Sequence, residues 1–291
     1  MTEEQRIVYF NTVIRASTVP IYKGKYERLL TIHETIFRGY GIHTKKFFLP
    51  WHRWYLLQYE NLLKEIEPEV FVPYWDWSLE SGTPYKSELW NTNYAGIGGN
   101  GSTTTMCVEK GIFSESQWFL PASSGDSNLC LKRRFKNGIP DFVTVNEVKQ
   151  KEYYKFFDFE LLLRAYLHDT VHCKIGGTMC TENAAFAPEF FLHHAFIDKI
   201  WWDWQRKGEE FKKHHYFLEQ TSYMPWNKYL PKEFIDSEKL PNVAGKVCVE
   251  YKQPSKSMPP VLKGTNKVLY LNAKRQENIT AKASFSRGAI C

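Results

Sequence analysis

The sequence predicts a mainly α-helical protein with long irregular loops and a few short strands. Apolar residues recur at helical spacing over five stretches, residues 3–16, 21–38, 55–66, 156–173 and 188–206. Residues 80–140 are instead rich in Gly, Ser, Thr and Asn and have little periodicity, which indicates a long surface loop excursion. After Gly208, prolines separate short apolar runs, and Val247–Tyr251 and Val268–Leu271 are typical of strands.

Length and composition limit the class of protein. A chain of 291 residues suits one large domain, and we predict a core over residues 1–208 with an extension, residues 209–291, packed on it. The aromatic content of 16%, with 10 Trp, indicates a substantial packed interior. The net charge of +6 comes from scattered Lys and Arg, and no apolar run approaches the roughly 20 residues of a membrane span. We therefore expect no nucleic-acid partner and no membrane span.

The first half of the chain contains three closely spaced histidines. His33 lies in the second predicted helix, which Gly39-Tyr40-Gly41 should end, so that His43 falls on a loop. His52 follows Pro50 in the first turn of the next helix, where a proline costs little because its missing amide would have no helical partner. One buried histidine is usually a hydrogen-bonded core residue, but three that converge indicate a metal.

The second half supplies a matching set. His168 and His172 stand at positions i and i+4, so both rings project from one face of one helix. His193 and His194 lie in an otherwise apolar helix, where unpaired imidazoles would cost roughly 1–3 kcal/mol each. The two clusters together are far more specific than either alone.

The ligand types limit the metal. Imidazoles without thiolates suit copper or zinc. Iron pairs in helical bundles usually take carboxylates arranged as Glu-x-x-His, and that pattern is absent from the sequence. Three neutral nitrogens per ion leave coordination positions open on each ion, whereas a structural zinc site is normally completed by a fourth ligand. The sequence therefore favours a dinuclear, redox-active copper centre that binds dioxygen.

Three motifs resemble those of a known family. FFLPWHR (residues 47–53), PYWDW (residues 73–77) and PEFFLHHAFIDKIWWDW (residues 188–204) are similar to the type 3 copper proteins, which are tyrosinases, catechol oxidases and molluscan-type haemocyanins. The resemblance implies a four-helix bundle that holds two copper ions, with dioxygen as co-substrate. It implies that the first copper binds His33, His43 and His52. It also implies that the second copper binds His168, His172 and His194, since the family uses the second histidine of the pair.

The chain departs from the family at informative positions. Gly41 occupies the place of a cysteine that many relatives link to the second ligand, and Ala187 replaces the aspartate of an Asp-Pro pair. Active tyrosinases often hold a water between a glutamate and an asparagine, and the matching residues here are Glu160 and Asp169. Two carboxylates would form a stronger proton acceptor than a carboxylate and an amide. Cys173 replaces an arginine of some relatives, so no cation is expected there.

These residues lead to a functional prediction. Hydroxylating a monophenol requires loss of a phenolic proton with an unperturbed pKa of about 10, and Glu160 with Asp169 could accept it. We predict a tyrosinase that hydroxylates monophenols and oxidises o-diphenols to o-quinones, acting on small phenols and catechols or on tyrosyl residues of proteins. The negative charge of Asp169 should disfavour a substrate carboxylate.

Other functions remain open. A catechol oxidase without monophenolase activity is the nearest rival. An oxygen carrier would use the same centre but block its entrance with a further domain, for which residues 209–291 look too short. A zinc-loaded tautomerase and a catalytically silent structural protein are the remaining alternatives, the last disfavoured because all six ligands are intact.

Cysteines and glycosylation motifs indicate export. Six cysteines allow three disulfides, and we predict that Cys173 pairs with Cys180 and Cys107 with Cys130. Sequons at Asn100 and Asn278 agree with a glycosylated protein of the secretory-pathway lumen or the exterior.

Buried charges give two further expectations. Asp198 lies on the same helical face as His194 and could accept a hydrogen bond from its ring. Arg53 and Asp76 are predicted to form a buried structural ion pair.

Overall fold

The computed structural model describes residues 1–37, 39, 41–121, 129–212, 220–243 and 245–252, and the backbone of 287–288. The mainly α-helical class is confirmed. The predicted strand Val268–Leu271 and the Asn278 sequon lie outside the described residues. No described helix has the length and apolar character needed to span a bilayer.

Two helices open the chain. Helix α1 (Glu3–Thr18) begins with a capping box, in which Thr2 and Gln5 each bond the other's backbone N–H. It ends at Val19, whose extended conformation is the one favoured before a proline. Helix α2 (Pro20–Phe37) starts at that proline, and its buried side carries His33.

Two helices form the centre of the molecule. Helix α3 (Phe48–Lys64) and helix α7 (Glu189–Gln205) are buried on nearly every face. A helix that is apolar all round requires neighbours on all sides, which places both in the interior. Tyr59 of α3 stacks on Phe191 of α7, with ring centroids 3.5 Å apart.

One continuous helical stretch follows the short helix α4 (Phe142–Lys149) and changes its winding along its length. It consists of α5 (Phe156–Leu161), a π-helical segment (Leu162–His168) and α6 (Asp169–Ile175). The π-helical segment is not visible in the sequence pattern, because a periodicity of 3.6 predicts an ordinary helix. Segments of this kind are rare and often occur at functional sites.

The loops between α3 and α4 are fastened by covalent and ionic contacts. The predicted disulfide Cys107–Cys130 is present, as is Cys173–Cys180, which joins α6 to the turn that follows it. The guanidinium of Arg133 binds both carboxylate oxygens of Glu189 at 2.7 and 2.8 Å, and neither side chain is exposed. The irregular region is therefore tied to the first turn of α7.

The C-terminal part that the structure describes is short and irregular. It contains α8 (Glu209–Lys212) and four short strands, β1 (Leu240–Asn242), β2 (Gly245–Val247), β3 (Glu250–Tyr251) and β4 (Arg287–Gly288). β1 pairs antiparallel with β2, and β3 pairs antiparallel with β4. The strand predicted over Val247–Tyr251 is thus divided between two pairings. The division into 1–208 and 209–291 stays a prediction.

Candidate metal centre

Three elements bring the first set of histidines together. His33 comes from α2, His43 from the loop that follows it, and His52 from the first turns of α3. One ring nitrogen of each lies within 4.8 Å of one nitrogen of both others. His33 and His52 are buried and His43 is half-buried.

The second set lies at the end of the π-helical segment. His168 closes that segment, and His172 follows one turn later in α6. The Nε2 atom of His194, on α7, lies 3.3 Å from Nε2 of His168 and 3.2 Å from Nε2 of His172. Three ring nitrogens therefore point at one small space.

Backbone and carboxylate acceptors fix the tautomers of three of these rings. Nδ1 of His52 lies 2.8 Å from the Phe48 carbonyl, and Nδ1 of His172 lies 2.6 Å from the Met179 carbonyl. Carbonyl oxygens only accept, so each Nδ1 carries the proton and each Nε2 keeps its lone pair. Asp169 Oδ1 lies 2.7 Å from His168 Nδ1, so this nitrogen also carries the proton and His168 Nε2 keeps its lone pair. Such acceptors are how metal-binding imidazoles are commonly oriented.

His193 competes with His194 for the third position of the second set. A nitrogen of His193 also lies within 4.8 Å of nitrogens of His168 and His172. However, the indole N–H of Trp77 donates to His193 Nδ1 at 3.1 Å. That nitrogen is therefore an acceptor, and the proton of the neutral ring stays on Nε2, which leaves His193 without a lone pair for a metal. The geometry favours His194, as the family resemblance implies.

The two sets face each other. The rings of His52 and His194 stack with centroids 4.5 Å apart, and those of His43 and His168 lie 5.7 Å apart. Phe190 packs against His194, with centroids 4.0 Å apart, and Phe48 against His168 at 4.8 Å. The space between the sets is thus enclosed by aromatic side chains.

Burial keeps these imidazoles neutral. It is the largest cause that lowers the pKa of every histidine at the centre from 6.5, and mutual repulsion of the rings adds to it for most of them. The pKa of His43 falls to about 3 through burial and the charges of His172 and Arg164. Burial lowers the pKa of His172 to about 4, against the opposing effect of the Met179 carbonyl. Neutral imidazole is the form that binds metals.

These residues fit a pair of copper ions. Nε2 of His168 and Nε2 of His172 are both acceptors and lie 3.3 and 3.2 Å from Nε2 of His194, and a single proton on that atom could satisfy only one of them. The Nε2 atom of His52 is buried and has no hydrogen-bond partner among the described residues. Lone pairs left in this way cost roughly 1–3 kcal/mol each unless a cation takes them up. An all-imidazole donor set of this kind suits copper.

Glu160 and Asp169, the two carboxylates predicted to hold a water at the entrance to the metal centre, have different surroundings. We call this entrance the rim. Glu160 is buried, and its Oε1 accepts from Arg164 Nε at 2.6 Å. The Asp169 side chain is 54% exposed while it holds His168. Partial burial raises the pKa of Asp169, the nearby Glu160 raises it further, and Arg164 opposes both. A water held by Glu160 and Asp169 remains a prediction.

Two expectations about charged residues were wrong. Asp198 accepts from Arg53 Nε at 2.8 Å and from the Tyr251 hydroxyl, rather than from His194. Arg53 accordingly does not pair with Asp76, which accepts from the Ser78 hydroxyl. Reasoning from the sequence did not single out Arg164, which pairs with Glu160 one turn before His168. The spacing i, i+4 of Glu160 and Arg164 could have revealed this pair.

Comparisons with known proteins agree with this geometry. The family model of the common central domain of tyrosinase matches residues 23–207. A tyrosinase of Streptomyces antibioticus is 32% identical over 63% of this chain and 74% of its own length. Grixazone synthase of Streptomyces griseus is 27% identical over 81% of this chain and 94% of its own length.

A solved structure shows the same fold. A polyphenol oxidase variant from Thermothelomyces thermophila superposes with a TM-score of 0.61 at 18% sequence identity, covering 81% of this chain and 84% of that one. At this identity the likeness concerns the fold alone, and it supports the helical arrangement around the histidines.

Proposed function

Because the chain belongs to the tyrosinase family, whose members are copper oxidases, we propose that it ortho-hydroxylates monophenols and oxidises o-diphenols to o-quinones. The observation that carries the proposal is the pair of facing histidine sets, enclosed by Phe48 and Phe190. His33, His43 and His52 would hold one copper ion, and His168, His172 and His194 the other. Copper held there would supply the redox chemistry that couples phenol oxidation to reduction of dioxygen.

The reaction balances with dioxygen as the sole oxidant. One monophenol and one dioxygen give one o-quinone and one water. Two o-diphenols and one dioxygen give two o-quinones and two waters. The protein has to accept the phenolic proton, orient the ring and keep bulk water out of the enclosed space.

Different residues of this chain would carry out these tasks. The carbonyls of Phe48 and Met179 orient two ligand rings, while Phe48 and Phe190 exclude water from the space between the sets. One carboxylate oxygen of Asp169 holds His168, and the half-exposed side chain leaves the other oxygen at the rim for a phenolic hydroxyl. Glu160 is engaged by Arg164, so Asp169 is the better proton acceptor.

Oxygen uptake tests the proposal. Copper-loaded protein is given tyramine with a trace of dopamine, which primes the reduced centre, and metal-free protein serves as the control. We expect sustained uptake after a lag. Consumption of only the dopamine trace would rule out monophenol hydroxylation.

One observation favours a second candidate function, catechol oxidation without hydroxylation. The Arg164 guanidinium binds Glu160 and weakens it as a proton acceptor for a monophenol. An o-diphenol needs only to lose electrons and protons, so it places less demand on that acceptor. The oxygen-uptake experiment separates the two functions.

The charge at the rim predicts a preference among substrates. The exposed carboxylate of Asp169 should repel a substrate carboxylate, so kcat/KM should be higher for tyramine than for tyrosine and for dopamine than for DOPA. A screened surface interaction is worth about 1 kcal/mol or less, which corresponds to about a 5-fold ratio at most. Steady-state kinetics with the four substrates measures this ratio.

Asp169→Asn is the matched variant. Its amide oxygen can still accept from His168 Nδ1, so the ligand ring stays oriented while the charge is lost. The ratio should fall towards one in this variant. A wild-type preference for the amino acids would contradict the role given to Asp169.

A further inference from the structure

The disulfide Cys173–Cys180 lies directly beside a hydrogen bond that orients a histidine of the second set. Cys173 directly follows His172 in α6. Cys180 directly follows Met179, whose carbonyl accepts from His172 Nδ1 at 2.6 Å. The Cα atoms of the two cysteines lie 4.7 Å apart. The covalent bond therefore limits how far the Met179 carbonyl can move from the imidazole ring.

The chain between the two cysteines reverses at a pair of glycines. Gly176 and Gly177 have positive φ angles of 69° and 57°, which other residues rarely adopt. Glycine also loses more conformational freedom on folding than any other residue, so these two do not by themselves hold the turn in place. On one side the turn is fastened by Thr178, whose backbone N–H donates to the Lys132 carbonyl at 3.0 Å. The disulfide fastens it to α6, the helix that carries His172.

The Met179 carbonyl determines which nitrogen of His172 can bind a metal. A neutral imidazole carries one proton, and the carbonyl keeps it on Nδ1, which leaves the lone pair on Nε2. This Nε2 lies 3.2 Å from Nε2 of His194, at the second set. A ring released from the carbonyl can rotate or carry its proton on Nε2, and neither state presents that lone pair to a metal. Because the acceptor is a backbone atom, the path of the chain controls its position.

We propose that the Cys173–Cys180 disulfide is a positioning element for the second copper ion, because it holds the Met179 carbonyl against His172 and so raises the affinity of that site for copper. Both cysteines are exposed, so replacing them removes the cross-link and little buried packing. The inference rests on the copper ligands of the proposed function, but it does not depend on which phenols are oxidised.

Copper retention tests the inference. Cys173→Ser/Cys180→Ser should keep one copper ion and bind the other about 10- to 100-fold more weakly, as when partners that orient a metal ligand are altered. Competition of the copper-loaded protein with a chelator, followed by elemental analysis, measures both affinities. Retention of both ions as in the wild type, or equal loss of both, would overturn the inference.

Cys107→Ser/Cys130→Ser is the matched control. This disulfide spans 23 positions rather than 7, and its cysteines are buried, so its loss should lower the thermal stability more. Neither cysteine is adjacent to a histidine in the chain, and copper retention should equal that of the wild type. If copper retention instead followed thermal stability in both variants, Cys173–Cys180 would act only as a general cross-link and the inference would fail.

Nitrogen NMR of the metal-free protein tests the positioning without copper. Burial lowers the pKa of His172 to about 4, so the ring is neutral at pH 7 and its nitrogen shifts report the tautomer. In the wild type, Nδ1 should have the shift of a protonated nitrogen, and Nε2 that of a nitrogen with a free lone pair. In Cys173→Ser/Cys180→Ser, both shifts should move towards intermediate values.

His52 is the internal control in the same spectra. Its acceptor, the Phe48 carbonyl, lies in its own helix, so its nitrogen shifts should be the same in the wild type and in the variant. Unchanged shifts of His172 in the variant would contradict the inference. Failure of the copper-loaded wild type to oxidise tyramine and dopamine would instead contradict the proposed function and leave this measurement valid.

Discussion

Replacing His194 by Asn is expected to remove one of two copper ions and to lower the rate of phenol oxidation at least about 100-fold. Altering residues that merely orient a ligand already costs about 10- to 100-fold in metal affinity or activity. Nε2 of His194 lies 3.2 to 3.3 Å from Nε2 of His172 and His168. Without it, the second site keeps only two imidazoles. Copper content by elemental analysis and oxygen uptake measure the two effects.

His193→Asn is the matched control, since it removes the neighbouring ring from the same helix. The Asn side-chain oxygen can take the place of Nδ1 and accept from the Trp77 indole N–H. Both copper ions should therefore remain bound. If His193→Asn lost copper and His194→Asn kept it, the third ligand would be His193.

The choice between these adjacent histidines shows which part of the metal centre could be predicted from the sequence and which part could not. The spacing of His168 and His172 predicts a shared helical face, which the structure contains. No local spacing distinguishes His193 from His194, and only the family resemblance selects the second. The structural reason is a hydrogen bond from Trp77, 116 positions away in the chain. Long-range contacts of this kind leave no periodic signal.

The ion-pair partners of buried charged residues could likewise not be predicted from the sequence. Apolar residues recurring at helical spacing predicted α2, α3 and α7. They did not predict the partner of Arg53, since Asp198 is 145 residues away and Asp76 is much nearer in sequence. The π-helical segment Leu162–His168 was also missed, because its winding depends on how the turns are packed rather than on residue type.

The Arg53–Asp198 pair gives the largest expected effect on stability. Arg53 is fully buried and donates to Asp198, to the carbonyls of Phe234 and Ile235, and to Gln205. Its guanidinium lies 3.7 Å over the ring of Trp201. The pair joins α3 and α7, which carry His52 and His194, to the chain after α8.

Arg53→Met should lower the free energy of unfolding by about 3–5 kcal/mol, because the Asp198 carboxylate then stays buried without its cation. Urea denaturation of metal-free protein measures this without a contribution from metal binding. Lys25→Met is the matched control, since the Lys25–Glu65 pair is about half exposed and should contribute under about 1 kcal/mol.

The double variant Arg53→Met/Asp198→Leu decides whether the unpaired charge causes the loss. Removing both charges should cost less than the sum of the single changes, because no buried carboxylate is left without a partner. Additive losses would show that Arg53 acts through packing on Trp201 and through its carbonyl contacts instead. In either case the two ligand helices would lose a direct connection next to His52. Copper dissociation should then be faster in Arg53→Met than in Lys25→Met, and release to a chelator measures it.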